Sequence, residues 1–305
     1  IPMKRLTLYA ATCAVLLAGC SQPSYSQVSA GGEEVSAIAL PALPEKLDFA
    51  GEEVPLEYFD VREALQRELL VTSYMHSGTF RTLLNMKRYF SVIEPILERN
   101  GIPDDFKYLC MAESALNPET VSPAGAAGLW QFMPKTGREY GLAVGSQVDE
   151  RYDIEKSTEA ACAYLRDAYE RFGSWTLAAA AYNAGNAGVS RRMEIQGTEN
   201  YYDTFLPQET MRYLYRILSL KIVGSDPEAY GFRLRGDDYY GPLDDYRTVE
   251  VSGRDIKWPE VAGRYGTNYK MLRLLNPWMR DYVYDNKEGR ILKVKVPGRN
   301  FRAAR

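Results

Sequence analysis

Tyr108-Leu109-Cys110-Met111-Ala112-Glu113-Ser114-Ala115-Leu116-Asn117-Pro118 is the stretch on which the reading of this chain turns. Pro103 suits a first helical turn, so a helix is expected to start just beyond it. Phe106, Leu109, Cys110 and Glu113 then recur at i, i+3, i+4 and i+7, which is one helical face. A carboxylate therefore shares the apolar stripe of its own helix. Most acidic residues on helices are solvated. One held among apolar side chains has a raised pKa and keeps its proton near neutral pH. That is the state required of a general acid. Asn117-Pro118 is expected to stop the helix, because a residue before proline is biased away from helical angles.

Working outward, Ser122-Pro123-Ala124-Gly125-Ala126-Ala127-Gly128 is a glycine-rich loop, followed by Leu129-Trp130-Gln131-Phe132-Met133-Pro134. The loop is not a phosphate cradle, since it lacks a Gly-Lys-Ser/Thr ending and an acidic ribose partner. Its glycines suit backbone that passes close to a ligand near Glu113. Gln131 lies between aromatic residues, and a buried amide there needs partners. A sugar hydroxyl, an acetamido group or the protein itself could supply them. A further helix is expected over 157–172, with Ala161, Leu165, Ala168 and Phe172 on one stripe. Trp175-Thr176-Leu177-Ala178-Ala179-Ala180-Ala181-Tyr182 is apolar all round, the pattern of a central buried helix, and Gly185 ends it. Another amphipathic helix covers 212–223.

Upstream, 56–100 reads as helical, with Val61, Leu65, Leu69 and Thr72 in register, then Phe80, Leu83, Leu84 and Lys87. The chain's single histidine, His76, falls in the break Met75-His76-Ser77-Gly78, where a loop or cap role is expected. Residues 226–245 read as a linker. Strand-like alternation at 246–251, helical stretches at 258–265 and 268–276, and a closing strand at 291–297 make a small βααβ domain. The expected class is mainly α with that second domain attached.

The chain has 305 residues, 46% hydrophobic and 25% charged, which suits a packed globular protein of one or two domains. A formal net charge of -3 argues against a nucleic-acid binder held by phosphate contacts. One histidine argues against His-based metal or triad chemistry. No metal or cofactor is expected. Tyrosine is abundant, at 23 residues, as on many surfaces that contact sugars.

Near the N-terminus, Met3-Lys4-Arg5 precedes an apolar run over 6–18 that is too short to span a bilayer. It leads into Leu17-Ala18-Gly19-Cys20-Ser21. This resembles the bacterial lipobox, which implies a signal peptide over 1–20, a lipid anchor on Cys20 and a flexible tether over 21–55. Export to the cell envelope, facing the periplasm, follows from that reading. Ser21 in place of Asp favours the outer membrane over the inner by analogy. Cys110 and Cys162 remain after processing. A disulfide and two buried thiols are both open.

Glu113-Ser114 with Asn117-Pro118, then residues 122–134, then Ala179-Ala180-Ala181-Tyr182-Asn183-Ala184-Gly185, resemble the Slt-type lytic transglycosylases of glycoside hydrolase family 23. With the lipobox, the likeness is to the membrane-bound D-type branch of that family. It covers 101–220 within a helical domain placed at 56–225, and implies a goose-lysozyme-like fold. Residues 246–299 resemble the LysM peptidoglycan-binding module. There, Ser252-Gly253-Arg254-Asp255 replaces the usual Gly-Asp-Thr, and the Asn-Pro segment is followed by an insertion.

The resemblance implies Glu113 as catalytic acid and then base, and peptidoglycan glycan strands as the partner. It implies substrate contacts at Ser122, Gln131, Tyr182, Asn183 and Tyr213. Tyr182 and Asn183 would lie opposite Glu113, with the Tyr182 hydroxyl positioning it. Trp130 stands where the family usually has Met, and would stack on a sugar ring. Ordinary glycosidases flank the bond with two carboxylates, whereas this motif set offers one. Asp149, Glu150 and Asp153 read as a solvated approach to a helix. A lone acid/base implies closure of a 1,6-anhydromuramic end without water. A lysozyme-type hydrolase and a non-catalytic wall-binding lipoprotein are the alternatives.

Overall fold

The computed structural model describes residues 39–303, so the expected signal peptide, Cys20 and the start of the tether lie outside the described residues. Its first element corrects the tether's far boundary. Asp48–Phe49 (β1) and Glu52–Glu53 (β2) pair as an antiparallel hairpin. Phe49 is fully buried, edge-on to Phe106 at 5.2 Å, and Val54 joins the same core. A large aromatic in a polar run is enough to pull the segment inward, since its burial outweighs the ordering of a few residues.

Eight helices follow: Phe59–Tyr74 (α1), His76–Arg99 (α2), Phe106–Ser114 (α3), Pro134–Glu139 (α4), Ile154–Phe172 (α5), Trp175–Ala184 (α6), Asn186–Gln196 (α7) and Gln208–Ser225 (α8). The expected stripe of α1 is buried at Val61, Leu65, Leu69 and Thr72. The break after it is Met75 alone. His76 opens α2 with its ring 6.2 Å from Phe232. The short α4 and the polar α7 lack the apolar periodicity that announces a helix.

α6 is the centre. Leu177 and Ala178 through Ala181 are fully buried, and α6 packs on α5, α7 and α8. Its alanines keep helix formation favourable while letting neighbours come close. Glu52 caps its N-terminus from the hairpin, accepting from the amides of Trp175 and Thr176 and from the Ser174 hydroxyl. A carboxylate there meets the unpaired amides and the positive end of the helix.

α3 stops at Ser114, ahead of the expected Asn117-Pro118. Ala115 and Leu116 take left-handed angles, with φ of 52° and 55°. Each costs about 1–2 kcal/mol for a residue with a Cβ. The full burial of Leu116 offsets this. Cys110 and Cys162 are separate, buried thiols. Cys110 donates weakly to the Leu129 carbonyl at 3.6 Å, and burial pushes the Cys162 thiol up to about 12.

The stretch 226–245 is packed rather than loose. Phe232 is buried edge-on to Phe80 at 5.0 Å, and the Tyr240 amide donates to Leu84 on α2 at 2.8 Å. The C-terminal unit comprises Tyr246–Val251 (β3), Asp255–Lys257 (β4), Trp258–Arg264 (α9), Tyr269–Leu275 (α10), Val283–Asp285 (β5) and Leu292–Pro297 (β6). β3 pairs antiparallel with β6, and β4 with β5. The expected βααβ core thus carries an extra two-stranded sheet, and the insertion after Asn276-Pro277 supplies β5. Trp258, Leu272, Met279 and Val294 form its core, which Val148 of the helical part enters.

The two parts are joined by backbone. The Asp149 amide donates to the Trp278 carbonyl and the Arg280 amide to the Gln147 carbonyl, both at 2.9 Å. Among the described residues, no helix is long and apolar enough to cross a membrane.

Phe49→Ala is expected to lower unfolding stability by about 3–5 kcal/mol, the range for truncating a buried aromatic. A urea midpoint equal to that of the parent would contradict the hairpin's place in the core.

Candidate functional site

Glu113 lies in the last turn of α3, half-buried, with its carboxylate facing α8. The Tyr213 hydroxyl donates a short hydrogen bond to Glu113 Oε1. Burial raises the Glu113 pKa to about 7. The Tyr213 bond and the positive charge of Arg216 oppose that rise, and Glu209 adds slightly to it. Desolvation therefore wins over two stabilising partners. With Oε1 taken by Tyr213, Oε2 is the oxygen on which a mobile proton would reside. Arg216 is tied to Glu209 at 3.0 Å, so its pull on Glu113 is partly spent.

Tyr213 is the residue on the carboxylate. Tyr182, expected in that role, donates instead to the Trp130 carbonyl at 2.7 Å. It fixes the loop to α6 and acts on Glu113 only through space. Asn183 is exposed, and its Oδ1 accepts from Thr210 at 2.8 Å, tying the end of α6 to α8.

Trp130 corrects a second expectation. It is fully buried, with its indole N–H donated to Thr158 of α5 at 2.8 Å. A satisfied, enclosed indole cannot stack on a sugar. It anchors the loop from beneath. Ser122 and Gln131 also act first within the loop. Ser122 Oγ accepts from the Ala126 amide at 3.0 Å. Gln131 Nε2 donates to the carbonyls of Gly128 at 2.8 Å and Thr120 at 3.1 Å. Both amide protons are thereby used, so Gln131 can meet a ligand only as an acceptor. Its φ of 49° shows backbone strain beside the site.

The loop is clamped by Arg151. Its Nη1 donates to the carbonyls of Gly125 at 2.7 Å and Phe132 at 3.0 Å, while Nε and Nη2 grip Asp149. Asp149 and Glu150 are each 5% exposed, which overturns the solvated reading of this stretch. Glu150 is paired with Lys156 and accepts from the Ala143 amide, and Asp153 caps α5. None of the three acids has a hydrogen bond to Glu113. Gly128, at φ of 82°, passes so close that a Cβ there would lie 1.9 Å from the Arg151 carbonyl oxygen. Sequence reasoning missed Arg151 because a lone arginine between acids reads as surface. Among the described residues, no group of three or more His, Cys, Asp or Glu side chains could hold a metal ion.

Comparisons with known proteins give matches in both parts of the chain. Residues 91–205 match the transglycosylase SLT domain, and 247–300 match the soluble lytic transglycosylase C-terminal LysM-like domain. The chain is 33% identical over 236 residues to membrane-bound lytic murein transglycosylase D of Escherichia coli K12, covering 75% of this chain and 50% of that protein. It is 37% identical over 82 residues to the soluble lytic murein transglycosylase of the same organism, covering 25% of this chain and 13% of that one. The lytic transglycosylase Slt of Pseudomonas aeruginosa, a solved structure, aligns with a TM-score of 0.40 and 18% identity over 61% of this chain and 36% of that one. The chain spans about half the length of the D-type relative.

Two outcomes are expected from the site's electrostatics. The folded-state pKa of Glu113, about 7, lies above its ordinary 4.5. Between those values the folded chain holds a proton that the unfolded chain has lost. This contribution to stability is therefore full below the lower value and lost as pH rises through the upper one. Glu113→Gln carries no such penalty, so its Tm advantage over the parent should widen from about pH 5 to about pH 8. A pH-independent difference would refute the desolvated carboxylate. Arg151→Met should cost about 3–5 kcal/mol by stranding the buried Asp149 charge. Asp149→Asn added to it should recover part of that loss, as read by a double-mutant cycle in urea.

Proposed function

We propose that this chain, which carries a transglycosylase SLT domain joined to a C-terminal LysM-like domain, is a peptidoglycan lytic transglycosylase. The observation that carries the reading is Glu113, a desolvated carboxylate with a pKa of about 7 inside the SLT match, touched by a tyrosine that leaves one oxygen for the proton.

In the proposed reaction, protonated Glu113 donates to the glycosidic oxygen between N-acetylmuramic acid and N-acetylglucosamine. The bond from muramic C1 to that oxygen breaks, and the glucosamine leaves with its 4-hydroxyl restored. The substrate's 2-acetamido carbonyl oxygen stabilises the cationic C1. Glu113, now ionised, takes the proton of the muramic C6 hydroxyl, and O6 closes on C1. The product is a 1,6-anhydromuramic end. No water is consumed, and Glu113 finishes protonated. A pKa near 7 suits one residue that must give and then take a proton. The Tyr213 bond favours the ionised form needed for the second step, while desolvation favours the protonated form needed for the first.

Ser122 and Gln131 sit on the braced loop and are proposed to contact sugar hydroxyl or acetamido groups. Asn183 is exposed at the end of α6 and is proposed to do the same. The D-type relative is named as membrane-bound. By analogy, and with the lipobox-like Leu17-Ala18-Gly19-Cys20, we place this chain at the bacterial envelope. A Cys20 lipid would hold it facing the periplasm, at the outer membrane.

Glu113→Gln is expected to abolish release of soluble fragments from purified sacculi, by a factor of roughly a thousand, while circular dichroism stays unchanged. Mass spectrometry of the parent's products should find ends lighter by one water than hydrolysed ends. Hydrolysed ends would support a lysozyme-type reaction instead. A folded, active Glu113→Gln protein would overturn the assignment.

A further inference from the structure

A cavity of about 850 Å³ lies between α2, the segment that follows α3, and α10 of the C-terminal unit. A second, of about 900 Å³, shares Met271, Phe301 and Arg302 with it. Each is within the size range of ligand pockets, roughly 300–1,000 Å³. Arg88, Lys270, Arg273 and Arg302 line the first, and Arg247 and Arg299 extend the basic lining into the second. Glu119 is the single acidic residue in either lining. It is already engaged, by Arg273 at 3.3 Å and Arg280 at 2.9 Å. Asp245, which reaches Gly298 of the second lining, accepts from the Asn300 amide at 3.0 Å. A chain with 40 acidic and 37 basic residues thus gathers six cations around one pair of cavities.

Some of these cations are fixed in place. Arg88 Nε donates to the Gly241 carbonyl at 3.0 Å, and Arg273 Nε donates to the Met279 carbonyl at 2.7 Å. Lys270 and Arg302 are exposed at the rim. Tyr89, Met271 and Phe301 provide an apolar floor. A wall of cations over an apolar floor suits a ligand that alternates carboxylates with short alkyl groups. A bare glycan carries only one lactyl carboxylate per disaccharide, held close to its ring, and would engage fewer of these cations.

We propose that these joined cavities bind the carboxylate-bearing peptide stems of peptidoglycan. The inference rests on the proposed substrate and concerns a surface separate from the reacting atoms. Its position favours that occupant. Asn117 and Pro118 line the first cavity and follow Glu113 by only four and five residues on the strained turn that ends α3. A stem attached to a muramic residue near Glu113 is therefore within reach of the cations. Binding there would bring the stem against both the helical domain and α10.

The test uses the full chain and a synthetic tetrapeptide stem with free carboxylates, beside the same peptide with its carboxylates amidated. Calorimetry should detect the free acid, with affinity falling as salt rises, and at least tenfold weaker binding of the amidated form. Lys270→Glu combined with Arg302→Glu should weaken binding of the free acid at least tenfold. The same double variant should slow cleavage of stem-bearing strands by a larger factor than cleavage of amidase-stripped glycan, which keeps only its lactyl carboxylates. Peptide binding does not require Glu113, so a failure of the lytic assignment would leave the calorimetric result standing. Equal binding of the two peptides, or parent-like binding by the double variant, overturns the inference. So does binding to anionic phospholipid vesicles through Lys270 and Arg302 with none to the peptide, which would make this face a membrane contact.

Discussion

Glu113 is held where water cannot fully reach it, and much of the helical domain can be understood as the means of keeping it there. A carboxylate on the inner face of a helix resists ionisation. Left alone it would stay neutral far above its ordinary range. Tyr213 limits that drift by donating to one oxygen, and Arg216 limits it from a distance. The balance depends on the spacing of α3 and α8, which pack directly. α6, capped by Glu52 from the hairpin, lies against α8 and supplies Tyr182 beside the same site. A hairpin at the start of the described residues therefore helps to fix the central helix on which the site is built.

A second constraint governs the loop. Buried ion pairs seldom add net stability, because desolvation of both charges offsets their attraction. Asp149 and Arg151 are better understood by what they hold. The guanidinium ties two loop carbonyls to one carboxylate, a geometry that lysine could not reproduce. The neighbouring Asp149 amide bonds to Trp278 in the C-terminal unit. Asp149 and Arg151 together thus brace the loop bearing Gln131 and seat the second domain. Movement of that domain would be felt at the loop through one short, rigid segment.

How much of this was legible in the sequence depended on whether the signal was local. Val61, Leu65 and Leu69 announced α1 because a helix repeats its buried face every few residues. Glu113 was legible for the same reason, as an acid on an apolar stripe. The strands 246–251 and 291–297 were legible from alternation, whereas β4 and β5 are three residues each and carry no pattern. Non-local contacts were not legible. Tyr213 reaches Glu113 across 100 positions of chain. Trp130 looked available to a ligand, because only the tertiary fold supplies Thr158 to its indole N–H. Asp149 and Glu150 looked solvated, since composition alone cannot distinguish a charged surface from a buried charged pair. Phe49 was a single apolar residue in a polar run, too little for periodicity and enough for packing.

These misreadings share a physical cause that bears on the site itself. Each concerns a polar or aromatic group whose partner no local pattern reveals, and the Trp130 and Arg151 contacts hold the loop over 122–134 in place. Ala115 and Leu116, which follow Glu113 in the chain, and Gln131 on the loop all sit at positive φ, an arrangement that isolated peptides disfavour. Burial of Leu116, the Trp130 anchor and the Arg151 clamp supply the opposing free energy. Strain concentrated in one place and balanced by its surroundings supports the proposal that Glu113 belongs to a pre-organised site. The carboxylate itself fits that pattern, because its raised pKa is a local instability tolerated by the fold. Relieving either the backbone strain or the desolvation would stabilise the protein. It would also remove the conditions under which one residue can both give and take a proton.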